Sequence, residues 1–125
     1  MDNISIIIRN RNEAEFIGFA IQSCLDFFDK PEIIILDNQS TDDSLEVVQF
    51  FNDRTSIKVK NIKNYRPGQS INEGINSSSN DYILILSAHS QIKEIDFNLV
   101  KQNLENHLAV FGKQIPIYRG KKITP

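Results

Sequence analysis

The sequence predicts an α/β fold in which a mainly parallel sheet carries helices on both faces. Apolar runs without polar alternation, such as residues 33–36, are typical of strands covered on both faces. Between these runs lie stretches whose apolar residues recur every three or four positions, as in a helix that buries one face. Because parallel strands need crossover connections, the predicted order βαβαβαβ indicates a Rossmann-like sheet.

The first strand is predicted at residues 4–8, an almost unbroken apolar run. The first helix is predicted at residues 13–28, where apolar residues share one helical face. Asn12 is predicted to cap this helix, with Glu15 three residues later in a capping-box position. Pro31 ends it, since proline disfavours helix in the residue before it.

The second strand, residues 33–36, leads directly into Asp37, and the helix that follows is predicted to be capped at Ser40 or Thr41. A third strand at residues 57–62 alternates apolar and polar residues, as a strand with one solvated face does. The remaining predicted elements are a short helical turn opened by Pro67 and Gly68, a loop at residues 76–80, a buried fourth strand at residues 82–86, a helix carrying Phe97, Val100 and Leu104, and a short apolar piece at residues 108–111.

Composition and charge limit the class of protein. The chain has 125 residues, of which 40% are hydrophobic, so we predict a single domain over residues 1–125 with a real core. A net charge of -2 gives no electrostatic case for nucleic acid as a partner. One cysteine, Cys24, excludes an internal disulfide, and no apolar run approaches the roughly 20 residues that a membrane-spanning helix needs. The amino terminus also lacks a signal-type apolar stretch, so these features predict a cytoplasmic domain.

Polar loops follow the first, second and fourth strands and are predicted to meet at one edge of the sheet. They are residues 9–12, residues 37–41 and residues 87–90, joined by the segment at Pro67 and Gly68. Open α/β sheets bind ligands at the carboxyl ends of their strands. Asp37 is therefore the acid best placed for ligand contact. The alternative is a turn or capping role, which aspartate also favours.

These loops lack the motifs of several nucleotide-binding classes. The pattern GxGxxG is absent after the first strand, which argues against dinucleotide-dependent dehydrogenases, and GxxxxGK[ST] of P-loop proteins is absent too. A receiver domain would need acids where Arg9 and Asn10 stand. No serine elbow or cysteine–histidine arrangement indicates a covalent nucleophile.

Residues 4–116 resemble the family 2, GT-A-type glycosyltransferases. The first strand followed by Asn12-Glu13 looks like the family's opening, and residues 32–42 match its second strand and Asp-x-x-Ser-x-Asp turn. Residues 68–74 are similar to a Gly-x-x-x-x-Arg-Asn-x-Gly segment, with Ile71 where arginine usually stands. Ser87-Ala88-His89 occupies the place of the metal-binding Asp-x-Asp motif, and residues 111–116 resemble a segment of a subgroup that carries Ser-Ala-His there.

The resemblance implies that the chain holds a nucleoside-diphosphate-sugar donor in the first half of a GT-A domain. By position, Asp37 would hydrogen-bond the base or ribose. Gly68 would let the backbone approach the nucleotide, and Asn72 would supply an amide. The residues that would line the base pocket are those of the first loop, Arg9, Asn10, Arg11, Asn12 and Glu13.

Ser87 and His89 would face the donor diphosphate. In most members of the family two aspartates here hold Mg²⁺ or Mn²⁺, which prefer several oxygen ligands, so the sequence assigns no metal ligand. Three interpretations of His89 stay open. It donates directly to the diphosphate, it ligates a softer divalent ion such as Mn²⁺, or it forms a local hydrogen bond; direct contact is favoured.

The sequence identifies no catalytic residue, because nothing after residue 92 resembles the family's later acidic motif. We expect a GT-A domain that is incomplete, with an exposed edge that favours homo-oligomers. One hypothesis is inverting transfer in surface polysaccharide synthesis, onto an unknown glycan, lipid-linked or protein acceptor. The other is a non-catalytic nucleotide- or sugar-binding module that retains only the donor half. A nucleotidyltransferase is the third, but the first loop lacks that group's glycines and lysines.

Overall fold

Four parallel strands form one sheet in the computed structural model, which describes residues 1–118 and 121–122. The strands are β1 (Ile4–Asn10), β2 (Glu32–Asp37), β3 (Ile57–Asn61) and β4 (Tyr82–Ser87). Their order across the sheet is β3-β2-β1-β4, and every pair is parallel. The predicted Rossmann-like sheet is confirmed.

Helices connect these strands on both faces of the sheet. They are α1 (Ile17–Phe27), α2 (Ser44–Gln49) and α3 (Pro67–Ser77). Crossovers between parallel strands are right-handed, so α1 and α2, which lead towards β3, lie on one face, and α3, which leads back to β4, lies on the other. The observed contacts agree, since α1 packs against α2 while α3 packs against β1 and β2.

The core lies in the two central strands. Every apolar residue of β2, residues 33–36, is fully buried, and so are residues 6–8 of β1. Successive side chains of a strand point to opposite faces, so both faces need apolar cover, which explains why these runs do not alternate. Cys24 of α1 belongs to this core, where burial raises the pKa of its thiol to about 12.

β4 is less buried than predicted. The run at residues 82–86 was expected to be buried like β2, but its residues are only partly covered and Ile85 is 45% exposed. The reason is position, because β4 stands at one end of the sheet and pairs with β1.

Three helix boundaries also differ from the predictions. α1 begins at Ile17 and not at Glu13, and α2 begins at Ser44, after both of its predicted caps. The side chains expected to cap these helices bond to neighbouring loops instead. α3 is an 11-residue helix and not a short turn, so the predicted loop at residues 76–80 begins inside it. Pro67 starts it favourably, because proline suits the first turn of a helix.

The chain divides into two compact units, Met1–Glu94 and Ile95–Pro125, and the single domain stays a prediction. The second unit contains α4 (Phe97–Leu104), as predicted, and two short antiparallel strands, β5 (Ile117–Tyr118) and β6 (Lys121–Lys122). The apolar piece at residues 108–111 has no regular structure. No helix in the described part of the chain is long and apolar enough to cross a membrane.

A buried carboxylate ties together the amino-terminal ends of the strands. Glu32 is 9% exposed and accepts hydrogen bonds from the Ser5 hydroxyl at 2.7 Å and from the Ser79 backbone N–H at 2.8 Å. Lys58 Nζ lies 3.1 Å from the same carboxylate. Burial by itself raises the pKa of Glu32, but these hydrogen bonds outweigh it and the pKa lies below its ordinary value. Glu32 therefore acts as a charged link between β1, β2, β3 and the segment before β4.

We expect Glu32→Gln to lower the free energy of unfolding at neutral pH by about 2 kcal/mol, because hydrogen bonds to a charged group are lost. Since the folded-state pKa is depressed, this contribution is present above the unfolded-state pKa and disappears as pH falls through the folded-state pKa. Urea denaturation across the acidic range measures it. Asp81→Asn, at an exposed acid nearby, is the control, and an equal loss at every pH would contradict the assignment.

Gly74 marks the close contact between α3 and the sheet. A Cβ at this position would lie 3.0 Å from Ile7 Cγ2 and 3.4 Å from Leu36 Cδ1, whereas a Cβ at Gly68 would meet nothing within 4 Å. We expect Gly74→Val to lower the free energy of unfolding by about 2 kcal/mol through overpacking. Gly68→Val in the same helix should change it by less than about 0.5 kcal/mol. Equal effects in urea denaturation would rule out this packing.

Candidate functional site

A buried polar network joins the carboxyl ends of β1 and β2. Asn10 lies opposite Asp37, and both side chains are 2% exposed. Asn10 Nδ2 donates to Asp37 Oδ1 at 2.9 Å and also approaches the hydroxyls of Ser40 and Ser44, at 3.2 and 3.0 Å. Asp37 in turn accepts from the hydroxyl and the backbone N–H of Ser40, at 2.7 and 3.1 Å. Ser40 therefore closes this turn, and neither Ser40 nor Thr41 caps α2.

Asp37 has the geometry of a turn residue, the alternative that the sequence left open. Both carboxylate oxygens are engaged inside the protein, and its predicted contact with a base or ribose stays a prediction. Asn38, the next residue, is partly exposed, and its side-chain amide makes no hydrogen bond with the residues that the structure describes. Asn38 was not among the predicted site residues, and in the sequence only its position at a strand end could have indicated it.

Asn12 locks the first loop onto the loop after β2. Its φ is 52°, a left-handed conformation that asparagine tolerates better than most residues. Asn12 Oδ1 accepts from the backbone N–H groups of Thr41 and Asp42 at 2.7 and 3.2 Å, and its own backbone N–H donates to Ser40 Oγ at 3.0 Å. Asp42 accepts from the backbone N–H of Ala14 at 3.0 Å. The prediction that Asn12 caps α1 is therefore wrong, because its side chain bridges two loops.

Asp42 is an acid that supports the loop. The hydrogen bond from the Ser44 hydroxyl is the main cause that holds the pKa of Asp42 below its ordinary value, and the backbone N–H of Ala14 adds to it. This charge stabilises the start of α2 through local bonds and the helix dipole.

His89 lies where the loops after β1 and β4 meet. Ser87 Oγ is 2.9 Å from His89 Nδ1, and Glu13 Oε1 is 3.8 Å from the same nitrogen. The side chain of His89 is 64% exposed, whereas that of Glu13 is 29% exposed. Arg9 lies opposite Ser87 on the neighbouring strand, and the Ala88 backbone N–H donates to the Arg9 carbonyl at 3.1 Å. The structure thus brings four predicted site residues, Arg9, Glu13, Ser87 and His89, to one edge of the sheet.

Two polar atoms at the end of β1 are buried without a hydrogen-bond partner among the described residues. They are Arg9 Nε and Asn10 Oδ1. An unpaired buried donor or acceptor is unfavourable, so such atoms gain free energy when a ligand or solvent pairs with them. The end of β1 thus keeps two buried polar atoms unpaired among the described residues.

The other predicted residues are not brought into this group. Arg11, Gly68 and Asn72 are exposed, and within the described ranges no hydrogen bond or ion pair links any of them to Asp37 or His89. Their roles in nucleotide binding stay predictions.

A polar cleft of about 580 Å³ lies beside α3, at the carboxyl end of β3. Lys63 and Arg66 line it together with Glu73. Gln39 Nε2 donates to the Lys63 carbonyl at 2.8 Å and so connects the cleft with the turn after Asp37. Lys63 and Arg66 were not among the predicted site residues, and in the sequence only their position after a strand could have indicated them.

The side chains at the end of β4 do not fit a divalent metal ion. Across residues 1–118 and 121–122, no group of three histidine, cysteine or acidic side chains is placed to hold one. His89 has one hydroxyl and one carboxylate beside it, whereas Mg²⁺ and Mn²⁺ prefer several oxygen ligands.

Comparison with known proteins identifies the relatives of this chain. The model of the family described as Glycosyl transferase family 2 matches residues 5–123. An uncharacterized glycosyltransferase of Rickettsia prowazekii (strain Madrid E) is 30% identical over 96% of this chain and 41% of its own length. The dolichyl N-acetyl-alpha-D-glucosaminyl phosphate 3-beta-D-2,3-diacetamido-2,3-dideoxy-beta-D-glucuronosyltransferase of Methanococcus voltae is 32% identical over 88% of this chain and 35% of its own length. The chain thus spans less than half the length of these curated relatives.

Solved structures confirm the GT-A type of fold. TarS of S. aureus in complex with UDP superposes with a TM-score of 0.72 at 19% identity, covering 92% of this chain and 38% of TarS. The complex of TarS with UDP-GlcNAc gives the same TM-score over 37% of TarS. With a family match over nearly all of its residues and this fold, the chain belongs to glycosyl transferase family 2.

Proposed function

We propose that this chain binds the nucleoside diphosphate of a nucleotide-sugar donor at the carboxyl ends of β1, β2 and β4. The observation that carries the proposal is the meeting of Arg9, Glu13, Ser87 and His89 at one edge of the sheet. The strand order reverses between β1 and β4, and ligands of open α/β sheets bind at such a switch point. Family membership, and the UDP and UDP-GlcNAc bound to TarS, support a nucleotide-sugar as the ligand.

The nucleoside side of the site is the rigid side. Asn12 and Asp42 hold the first loop against the loop after β2, so a base can bind without ordering either loop. Asp37 acts there as a positioning residue, since its carboxylate fixes the turn from within. Asn38 offers an amide that both donates and accepts, which suits the mixed edge of a nucleobase.

The diphosphate side is the charged side. His89 is exposed and sits beside Ser87, so its imidazole and the hydroxyl can donate to phosphate oxygens, with Arg9 on the adjacent strand adding positive charge. Charge-assisted hydrogen bonds of this kind are stronger than neutral ones. In glycosyl transfer the nucleoside diphosphate is the leaving group, and groups that stabilise its developing charge favour the reaction.

Inverting glycosyl transfer is the reaction that we propose for the bound donor. Inverting transfer needs a base that reaches the acceptor hydroxyl, and no residue in the described part of the chain is assigned that role. Only the family resemblance supports a glycan, lipid-linked or protein acceptor and a role in surface polysaccharide synthesis.

Calorimetry with UDP, GDP and the matching nucleosides tests donor binding. We expect the 125-residue chain to bind a nucleoside diphosphate without added metal. His89→Ala should weaken that binding about tenfold, or about 1.4 kcal/mol, and leave nucleoside affinity unchanged, because the imidazole lies on the diphosphate side of the proposed site. His107→Ala, at the other histidine, is the control. Failure to bind any nucleoside diphosphate would overturn the proposal, and strict dependence on Mn²⁺ would overturn the direct contact by His89.

Asp37→Asn separates positioning from direct recognition. An amide cannot accept all three hydrogen bonds that the carboxylate accepts, so we expect the free energy of unfolding to fall by about 2–3 kcal/mol. The folded protein should keep its nucleoside affinity within about twofold, as expected for a buried residue that does not touch the ligand. Urea denaturation and calorimetry measure the two effects, with the exposed acid variant Asp43→Asn as the control. Lost nucleoside affinity at unchanged stability would show direct contact instead.

A further inference from the structure

Arg9 is a cation without a counter-ion in the part of the chain that the structure describes. Its guanidinium takes part in no ion pair there, and its Nε is buried without a hydrogen-bond partner. The two terminal nitrogens of Arg9 are not buried in this way and have no partner among these residues either, so they reach the surface. A partly desolvated charge that lacks an opposite charge is unfavourable, and an anion that binds to it removes the penalty.

The register of the sheet places Arg9 beside Ser87. These residues lie opposite each other on β1 and β4, and the Ala88 backbone N–H donates to the Arg9 carbonyl at 3.1 Å. Paired residues of neighbouring strands carry their side chains on the same face, and the strands lie about 4.8 Å apart. Because Ser87 Oγ is 2.9 Å from His89 Nδ1, the three polar side chains share one end of the sheet.

The core fixes the base of the Arg9 side chain. Ile7, two residues earlier on β1, faces α3, since a Cβ at Gly74 would lie 3.0 Å from Ile7 Cγ2. Alternate residues of a strand face the same way, so Arg9 follows Ile7 on this face. Its neighbour in register on β2 is Leu36, which is fully buried. A stem held by apolar neighbours and a free charged tip allow a ligand to bind with little loss of side-chain entropy.

The chemistry of this end of the sheet suits an arginine better than a divalent ion. Across the described ranges, no three histidine, cysteine or acidic side chains come together to hold a metal. The charge of a diphosphate still has to be balanced when it binds and when it departs as a leaving group. A guanidinium is charged throughout the ordinary pH range, and its planar fork can donate to two phosphate oxygens at once.

We propose that Arg9 binds the diphosphate of the donor and supplies the positive charge that a divalent ion supplies in family members with Asp-x-Asp. The inference rests on the proposed function. It assigns Arg9 to the diphosphate, beside Ser87, and not to the base pocket where the family resemblance had put it. Donor binding by this chain is then independent of added metal.

The test compares Arg9→Gln with Arg11→Gln in the 125-residue chain. Both variants remove one positive charge near the end of β1, but Arg11 is exposed and has no partner in register on β4. Calorimetry with UDP and with uridine is run in the presence of EDTA at about pH 8, above the second pKa of a phosphate, which is about 6.

We expect Arg9→Gln to weaken UDP binding about 30-fold, because a charge-assisted contact to the diphosphate is lost. Its uridine affinity should stay within about twofold of the wild type, and Arg11→Gln should change UDP affinity by less than about threefold. Unchanged UDP affinity in Arg9→Gln, an equal loss in both variants, or a parallel loss of uridine affinity would each overturn the inference.

Added Mn²⁺ separates the arginine from a metal ion. We expect the wild-type chain to bind UDP with the same affinity, within about threefold, in Mn²⁺ and in EDTA, since Arg9 already balances the charge. Binding that becomes tenfold tighter or more with Mn²⁺ would show that a metal supplies the charge, and would overturn the assignment.

Urea denaturation without ligand separates a role in binding from a role in folding. Because the charge of Arg9 has no partner among the described residues, Arg9→Gln should leave the free energy of unfolding unchanged or raise it. A clear loss of stability would reveal a structural partner and overturn the inference. If the wild type binds no nucleoside diphosphate, the proposed function itself fails. If the wild type binds UDP and Arg9→Gln binds it equally well, this inference alone fails.

Discussion

The hydrogen bond between Asn10 and Asp37 is the interaction on which the rest of the structure depends. These side chains end two strands that are otherwise apolar, and buried polar groups must find partners inside the protein. Ser40 donates to Asp37 through its hydroxyl and its backbone N–H and thereby fixes the turn after β2. Asn12 can then bond to that turn. The hydrogen bonds of Asn10, Asp37 and Ser40 at the ends of the core strands therefore also position the first loop. Fold and site are coupled through these few polar side chains.

The sequence predicted the sheet well because apolar runs report on burial, and burial on both faces is what a parallel strand needs. The same signal could not place a strand within the sheet. Residues 33–36 and residues 82–86 are equally apolar, yet the first run is fully buried and the second stands at an edge where Ile85 is exposed. A strand is central when other strands pair with it on both sides. An apolar run in the sequence does not show which strands these are.

For the site, sequence reasoning predicted which loops meet, because the carboxyl ends of parallel strands share one edge of the sheet. It could not predict what individual side chains do there. Short polar side chains bond to any backbone group in reach, and tertiary structure decides which is in reach. Asn12 was expected to cap its own helix and instead holds the turn at Thr41. The bonds of Asp37 within its turn were left open by the sequence as an alternative to ligand contact, which stays a prediction. The pairing of Glu13 with His89 joins distant parts of the chain and left no local signal.

The nucleoside and diphosphate sides that we propose for the site place different demands on charge. On the nucleoside side the first loop is already bonded to the loop after β2, so a base can bind without new ordering of either loop. On the diphosphate side, the Glu13 carboxylate would repel a bound diphosphate. Binding therefore requires that this repulsion be weak. At an edge where His89 is 64% exposed, water and salt weaken the repulsion between Glu13 and a phosphate that lies beyond the ring. Glu13 can therefore stand at the edge of the proposed diphosphate site with only a small electrostatic penalty.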